Sequence, residues 1–144
     1  MKLSQDTILH AAVAALREQV APAIQDPFIE DVLRMAANQV SMVADAWDSA
    51  AALRIDENQR MRTLFAESAG AVADNGLAER LADAAQSSDP GYRISELDRE
   101  NGRLRSLLVE LHTHVEASAS EPARVIDRRI WRHLQDVEAK RAPR

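Results

Sequence analysis

The stretch ISELDRENGRLRSLLVELHTHV, residues 94–115, decides the fold class, because its apolar side chains recur at alternating spacings of three and four residues. That spacing is typical of a helical heptad seam, here with leucine at every d position and one asparagine at an a position. The seam residues are Ile94, Leu97, Asn101, Leu104, Leu108, Leu111 and Val115. Gly102 costs about 1 kcal/mol in a helix interior, but the periodicity on both sides of it favours one continuous helix.

The composition extends the helical prediction to the whole chain. Only 3% of the 144 residues are aromatic, and the chain holds four glycines and five prolines. Alanine dominates the apolar residues, and alanine loses no side-chain entropy in a helix. We therefore predict an all-α protein, a bundle of five or six helices with a long heptad-patterned fifth helix. It is expected to form a single helical domain over residues 1–144, with residues 140–144 a flexible basic tail.

Start and stop signals divide the chain into these helices. Asp26 followed by Pro27 is a strong start, since the proline occupies a first-turn position where its missing N–H costs nothing. Asp56 with Gln59 reads as a capping box. The predicted helices are a first that kinks or ends at Pro22, a second from Asp26 to about Ala52, a third from Asp56 to Asn75-Gly76, a fourth over 77–86, the fifth, and a sixth after Pro122.

The second helix carries an apolar arc of about half its circumference, as judged at 100° per residue. Such breadth indicates contact with more than one neighbour, so we expect this helix to be central. Gln39 lies inside the arc and is the clearest candidate for a buried polar side chain. Gln39 and Trp47 together mark a candidate ligand pocket.

The stretch Glu110 to Glu116 is the only one dense in metal-ligand side chains. Its two pairs, Glu110 with His114 and His112 with Glu116, are offset by about 200° around a helix and cannot share one ion. The chain has no cysteine and no Glu-x-x-His motif of the kind that dimetal bundles use. We therefore predict no metal, no cofactor and no catalytic set.

Arginines on the fifth helix faintly resemble those of a helix-turn-helix protein: Arg93, Arg99, Arg103 and Arg105 follow a short helix and a Pro-Gly turn. Acidic residues are interleaved with them and the chain carries a net charge of −5, so nucleic acid is an unfavoured partner. The segment 124–144 is basic. It is expected either to bind an anionic partner or, as we favour, to pack against the acidic remainder of the same or a neighbouring chain.

The expected location is the cytoplasm. No uncharged apolar run approaches the roughly 18 residues needed to span a bilayer. The absence of cysteine gives no indication of an oxidising compartment. Arginine far outnumbers lysine, which together with the alanine content suggests a bacterial source.

Two segments of the first fifty residues, LREQVAP at 16–22 and RMAANQV at 34–40, resemble a family of uncharacterised bacterial helical proteins. Members of that family tend to be encoded beside aminoglycoside-phosphotransferase-like kinases and acyl-CoA dehydrogenases. The resemblance covers about a third of the chain, and the C-terminal half departs from it. It implies a genomic neighbourhood and an accessory role beside an enzyme, and no reaction.

These observations favour a non-catalytic interaction module that self-associates as a homodimer through the seam from Ile94 to Val115, and that has a possible protein partner encoded nearby. An alternative is a small-molecule-binding or catalytic bundle with a site around Gln39, Trp47 and a histidine. A fainter alternative is a DNA-binding protein.

Overall fold

The computed structural model describes residues 4–141, which are almost entirely helical. Helix accounts for 83% of the described residues, and no strand occurs among them, so the prediction of an all-α bundle is confirmed. The helices are α1 (Gln5–Ala15), α2 (Pro27–Ala46), α3 (Ala50–Ala69), α4 (Asn75–Gln86), α5 (Ile94–Glu116) and α6 (Glu121–Arg141). None of the helices between residues 4 and 141 has the length and apolar character needed to cross a membrane.

Contacts divide the chain into two compact units, an N-terminal unit Met1–Ala50 and a C-terminal unit Ala51–Arg144. The N-terminal unit holds α1 and α2, and the C-terminal unit holds the other four helices except for the first residue of α3. The expectation of one domain over residues 1–144 stays a prediction beside this division.

The N-terminal unit is a helical hairpin. After α1 the chain passes through a π-helical turn, Leu16–Val20, and a 3-10 turn, Ala21–Ala23, that contains Pro22. The predicted start of α2 is confirmed, because an Asp26 carboxylate oxygen accepts a hydrogen bond from the Phe28 amide at 2.9 Å. The contact between the two helices is thin. Its buried residues are Val13, Ala37 and Ala44.

Three predicted helix boundaries are wrong. The second helix ends at Ala46 and not near Ala52, and the third begins at Ala50, ahead of Asp56. Residues 50–55 are mostly strong helix formers, so the helix starts without the capping box, and the Asp56 carboxylate instead bonds Arg60 and Lys140. The dipeptide Asn75-Gly76 opens α4 and does not end α3, because Asp74 caps the Leu77 amide at 2.9 Å.

The hydrophobic core of the C-terminal unit is formed by side chains from α3 to α6. α5 packs against α4 and α6 and runs unbroken through Asn101-Gly102, as its periodicity predicts. The buried cluster of this unit contains no residue of α2, the helix that its broad apolar arc predicts to be central. The cluster comprises Met61, Leu64, Phe65, Val72, Leu77, Leu81, Ala84, Leu104, Leu107, Leu108, Leu111, Val115, Ala123, Ile126 and Ile130.

The final residues of α6 also differ from prediction. Lys140 and Arg141, expected to begin a flexible tail, belong to the helix and bond Asp56 and Glu57 of α3. The other residues of the predicted tail, 142–144, lie outside the described residues.

Candidate functional site

The most unusual surface of the described chain is a strip of large apolar side chains along α2. They are between 42% and 70% exposed, although each is of a type that folded proteins usually bury. At 100° per residue, they fall within about 140° of the helix circumference. The strip is made of Phe28, Ile29, Val32, Met35, Met42, Val43 and Trp47.

A second apolar side of α2 faces α1. Ala37 and Ala44 are buried there, and Leu33 and Val40 are half-buried. The exposed strip is therefore additional to the side that holds the hairpin together. α2 carries two apolar sides, and α1 covers one of them.

The remaining side of α2 is charged and is held by polar contacts. Arg34 pairs with Asp31 at 2.8 Å, and His10 of α1 reaches Asp45 at 3.3 Å. Arg17 donates a hydrogen bond to the Asn38 side chain at 2.8 Å. Polar and apolar surfaces are thus segregated around α2, which is typical of a helix that buries its apolar side against a further element.

Gln39 lies within the exposed strip and is itself exposed, so the prediction that its amide is buried is wrong. Trp47 is also half exposed. Neither residue lines the 330 Å³ cavity beside α2, which is bordered by Arg17, Ala21, Glu30, Leu33, Arg34, Ala37 and Asn38. The ligand pocket predicted around Gln39 and Trp47 is therefore not this cavity, and it stays a prediction. The sequence located the apolar arc correctly, and within the hairpin α1 covers only part of it.

The candidate interface on α5 is buried within the chain. Leu97, Leu104 and Leu111 are fully buried, and Leu108 and Val115 nearly so, while Ile94 at the start of the helix is 40% exposed. Side chains in the interior of a folded unit cannot also form a contact with a second chain. The prediction of a dimer through this seam is therefore corrected: the heptad pattern encodes the core of the C-terminal unit.

Asn101, the polar member of the seam, is buried and has a partner in its own chain. Its Nδ2 donates to Asn58 Oδ1 at 2.9 Å, and Asn58 Nδ2 donates to Asp89 Oδ1 at 2.9 Å. These bonds satisfy the amide that would otherwise be a costly group in the core. No local pattern identifies Asn58 as the partner, because 43 residues separate the two side chains.

A buried arginine continues this polar network. Arg62 is 3% exposed, and its guanidinium donates to Asp89 at 2.8 Å, to Glu100 at 2.9 Å and to Ser87 at 3.2 Å. Arg103, with a smaller contribution from Arg62, holds the pKa of Glu100 below its usual range. The network fixes the loop between α4 and α5 against α3, and all of its charged groups are paired. We interpret it as structural.

A shallow groove of 280 Å³ lies between α3 and α6. His133 lines it, is buried, and makes no hydrogen bond within residues 4–141. Burial lowers the pKa of this histidine, and the Coulombic effect of Glu57 opposes that shift. The charged groups that share the groove pair with each other: Arg60 with Asp56 and Asp136, and Arg129 with Glu67.

The histidines of the Glu110 to Glu116 stretch take separate roles. His112 contacts Asp127 at 3.2 Å and Glu116 at 3.5 Å, and its ring packs edge-on against Trp131. Glu110 pairs with Arg80 on α4. No group of three or more histidine, aspartate or glutamate side chains is placed to hold a metal ion between residues 4 and 141.

The basic residues considered for anion binding are largely engaged within the chain. Arg103 pairs with Glu100, and Arg105 is 4.0 Å from Glu57. The basic C-terminal helix pairs with acidic residues of α3 through Arg129, Lys140 and Arg141. This agrees with the favoured expectation that the basic segment packs against the acidic remainder.

Comparison with known proteins found no matching family model, no matching curated protein and no matching solved structure. Inference about function therefore rests on the geometry of the chain.

Proposed function

We propose that this protein is a non-catalytic helical interaction module that self-associates through the exposed apolar strip of α2. The observation that carries the proposal is the strip itself, seven large apolar side chains that are 42% to 70% exposed. The partner surface differs from the sequence prediction, which placed self-association on the α5 seam. That seam is occupied by the core of the C-terminal unit.

The size of the strip supports an interface. Phe28 and Trp47 are 70% and 51% exposed. Taking roughly 150–250 Å² for each fully exposed aromatic side chain, these two alone leave roughly 180–300 Å² of apolar surface in contact with water. The largest patch on an ordinary monomer is about 300–600 Å². A standard protein interface buries about 800 Å² on each partner. With the five other apolar side chains added, each 42% to 70% exposed, the strip lies near the upper end of the patches found on monomers and is comparable to one side of a small interface.

The thin contact inside the hairpin also supports association. Only one residue of α1 and two of α2 are buried in it, and two of the three are alanines. Helices of this length owe most of their stability to the packing of an apolar face. Association through the strip would give α2 the second packed side that its sequence provides for.

Sedimentation equilibrium of the wild type and two variants tests the proposal. Met35→Glu places a charge within the strip, and Arg99→Glu places the same side chain at an exposed position of α5, outside the strip. The wild type and Arg99→Glu should form dimers. Met35→Glu should bind itself at least about tenfold more weakly, since each 1.4 kcal/mol of lost interface energy is a factor of ten in affinity.

Two results would contradict the proposal. One is a wild type that stays monomeric at high micromolar concentration. The other is a Met35→Glu variant that dimerises as tightly as the wild type. Circular dichroism of all three proteins verifies that each remains folded.

A role beside an enzyme encoded nearby is a further part of the proposal, supported by the resemblance of residues 16–22 and 34–40 alone. Such an enzyme would be a second kind of partner for the module. This part of the proposal predicts that the purified protein and the enzyme comigrate in gel filtration. It also predicts that the protein is a homodimer before it binds the enzyme.

A further inference from the structure

We propose that two copies pair through α2 in an antiparallel arrangement, about a twofold axis level with Ala37. The inference rests on the proposed function and adds to it the orientation and register of the partner. It follows from the order of side chains along the exposed side of α2.

The centre of the strip has its own heptad spacing. Six positions follow one another at steps of four, three, four, three and four residues: Phe28, Val32, Met35, Gln39, Met42 and Ala46. Written as a heptad, these alternate between d and a positions. The set is symmetric about position 37, so an antiparallel copy places every d residue opposite an a residue.

The resulting layers combine side chains of different size. Phe28 lies opposite the partner's Ala46, and Val32 opposite the partner's Met42. In the central layer Met35 lies opposite the partner's Gln39, which places the one polar residue of the strip beside a flexible, polarisable side chain. Large residues opposite smaller ones are what close packing between helices requires.

The residues beside this centre discriminate between antiparallel and parallel pairing. One flank is apolar and consists of Ile29, Ala36 and Val43, and the other is polar and consists of Asp31, Asn38 and Asp45. In antiparallel pairing each flank meets its own kind across the twofold axis. In parallel pairing the apolar flank would face the partner's aspartates, which would desolvate charges beside apolar side chains. The antiparallel arrangement avoids that penalty.

The position of α1 is compatible with the pairing. α1 packs against the side of α2 that contains Ala37 and Ala44. At 100° per residue, that side lies roughly 160–180° around the helix from the centre of the strip. α1 and the partner's α2 therefore lie on nearly opposite sides of α2 and do not compete for the same surface.

One feature opposes the arrangement. The polar flanks bring Asp31 near the partner's Asp45, and both are acidic. Asp31 is already paired with Arg34 at 2.8 Å, and Asp45 lies 3.3 Å from His10. All four side chains are exposed, where interactions between charges are weak. The repulsion is therefore small beside the apolar surface that the pairing buries.

Cysteine cross-linking tests the orientation, and the natural chain contains no cysteine to interfere. In the proposed register, Val32→Cys of one copy meets Met42→Cys of the other. The two positions are about 15 Å apart along one helix, so no bond forms within a chain. The double variant should give a disulfide-linked dimer as its main product under mild oxidation.

Each single variant should stay unlinked, because its two copies lie about 15 Å apart across the axis. The matched control is Arg34→Cys/Ser41→Cys. These two positions are also nearly level with each other across the axis, but they lie on another side of α2, so this variant should stay unlinked too.

If either single variant cross-links as readily as the double variant, the pairing is parallel or centred elsewhere on α2, and the inference is overturned. If no variant cross-links while all sediment as dimers, the proposed register is wrong and the proposed function stands. If the wild type is monomeric, the proposed function fails and the inference fails with it.

Discussion

At the scale of single residues, the core of the C-terminal unit depends on a few polar side chains that are completely paired. Asn101 bonds Asn58, Asn58 bonds Asp89, and Asp89 bonds Arg62. A buried polar group contributes little net stability when paired but is costly when its partner is removed. The network should therefore be sensitive to loss of any one member.

Removing Asn101 tests this sensitivity. Asn101→Ala leaves Asn58 Oδ1 without its 2.9 Å donor, so the free energy of unfolding should fall by about 1–3 kcal/mol, as measured by urea denaturation. The exposed Arg99 on the same helix is the control, and Arg99→Ala should change stability by less than about 0.5 kcal/mol. In a double-mutant cycle, Asn58→Ala/Asn101→Ala should cost less than the sum of the single changes. Strict additivity would contradict the assigned bond.

His133 should make stability depend on pH. Because burial lowers its pKa in the folded state, the unfolded chain binds the proton more readily. Its contribution is present above about pH 6.5, the usual pKa of histidine, and is lost as the pH falls toward the lowered value. Compared with the wild type, His133→Gln should show a shallower loss of stability over this range, by up to about 1.4 kcal/mol per pH unit. Identical slopes for the two proteins would show that His133 does not titrate in this way.

At this scale helical periodicity predicts which residues have apolar surroundings but not which residues they contact. The apolar surroundings of Asn101 and Gln39 are both visible in helical periodicity. Periodicity does not reveal which neighbour covers a helix, so Gln39 was placed in a core that α2 does not have in the described chain. Asn58 and Arg62 were missed for a related reason, since their buried partners are distant in sequence.

At the scale of secondary structure elements, α5 is the helix that the sequence predicted best. Its 23 residues coincide with the heptad pattern, and Gly102 does not interrupt it. The helix ends that were predicted wrongly lie in alanine-rich stretches. There, helix propensity continues past a candidate cap, so a local signal such as Asp56 with Gln59 does not determine where the helix begins.

Gly102 offers a test of the continuous helix. No atom lies within 4 Å of a Cβ added at this exposed position. Gly102→Ala should therefore raise the free energy of unfolding by about 0.5–1 kcal/mol, because alanine is the better helix former. Gly102→Pro, the contrasting change, should lower it by about 3 kcal/mol. A destabilising alanine would indicate a break in α5 at this residue.

At the scale of the whole molecule, the two units use helix patterning in different ways. In the C-terminal unit the seam of α5 forms part of the core, and its leucines are buried. In the N-terminal unit most of the large apolar side chains of α2 stay exposed. The sequence predicted self-association through the narrow seam because a heptad stripe is typical of a coiled coil. The same stripe also suits the interior of a bundle, and only the positions of the other helices distinguish the two uses.

Hydrogen exchange measured by mass spectrometry at low and high protein concentration tests most directly where copies meet. Opening of a helix slows when its packed side is covered by a partner. We predict that the amides of α2, residues 27–46, exchange more slowly at high concentration, while those of α5, residues 94–116, exchange at the same rate at both concentrations. Concentration-dependent protection of α5 without protection of α2, or no dependence in either helix, would contradict the account.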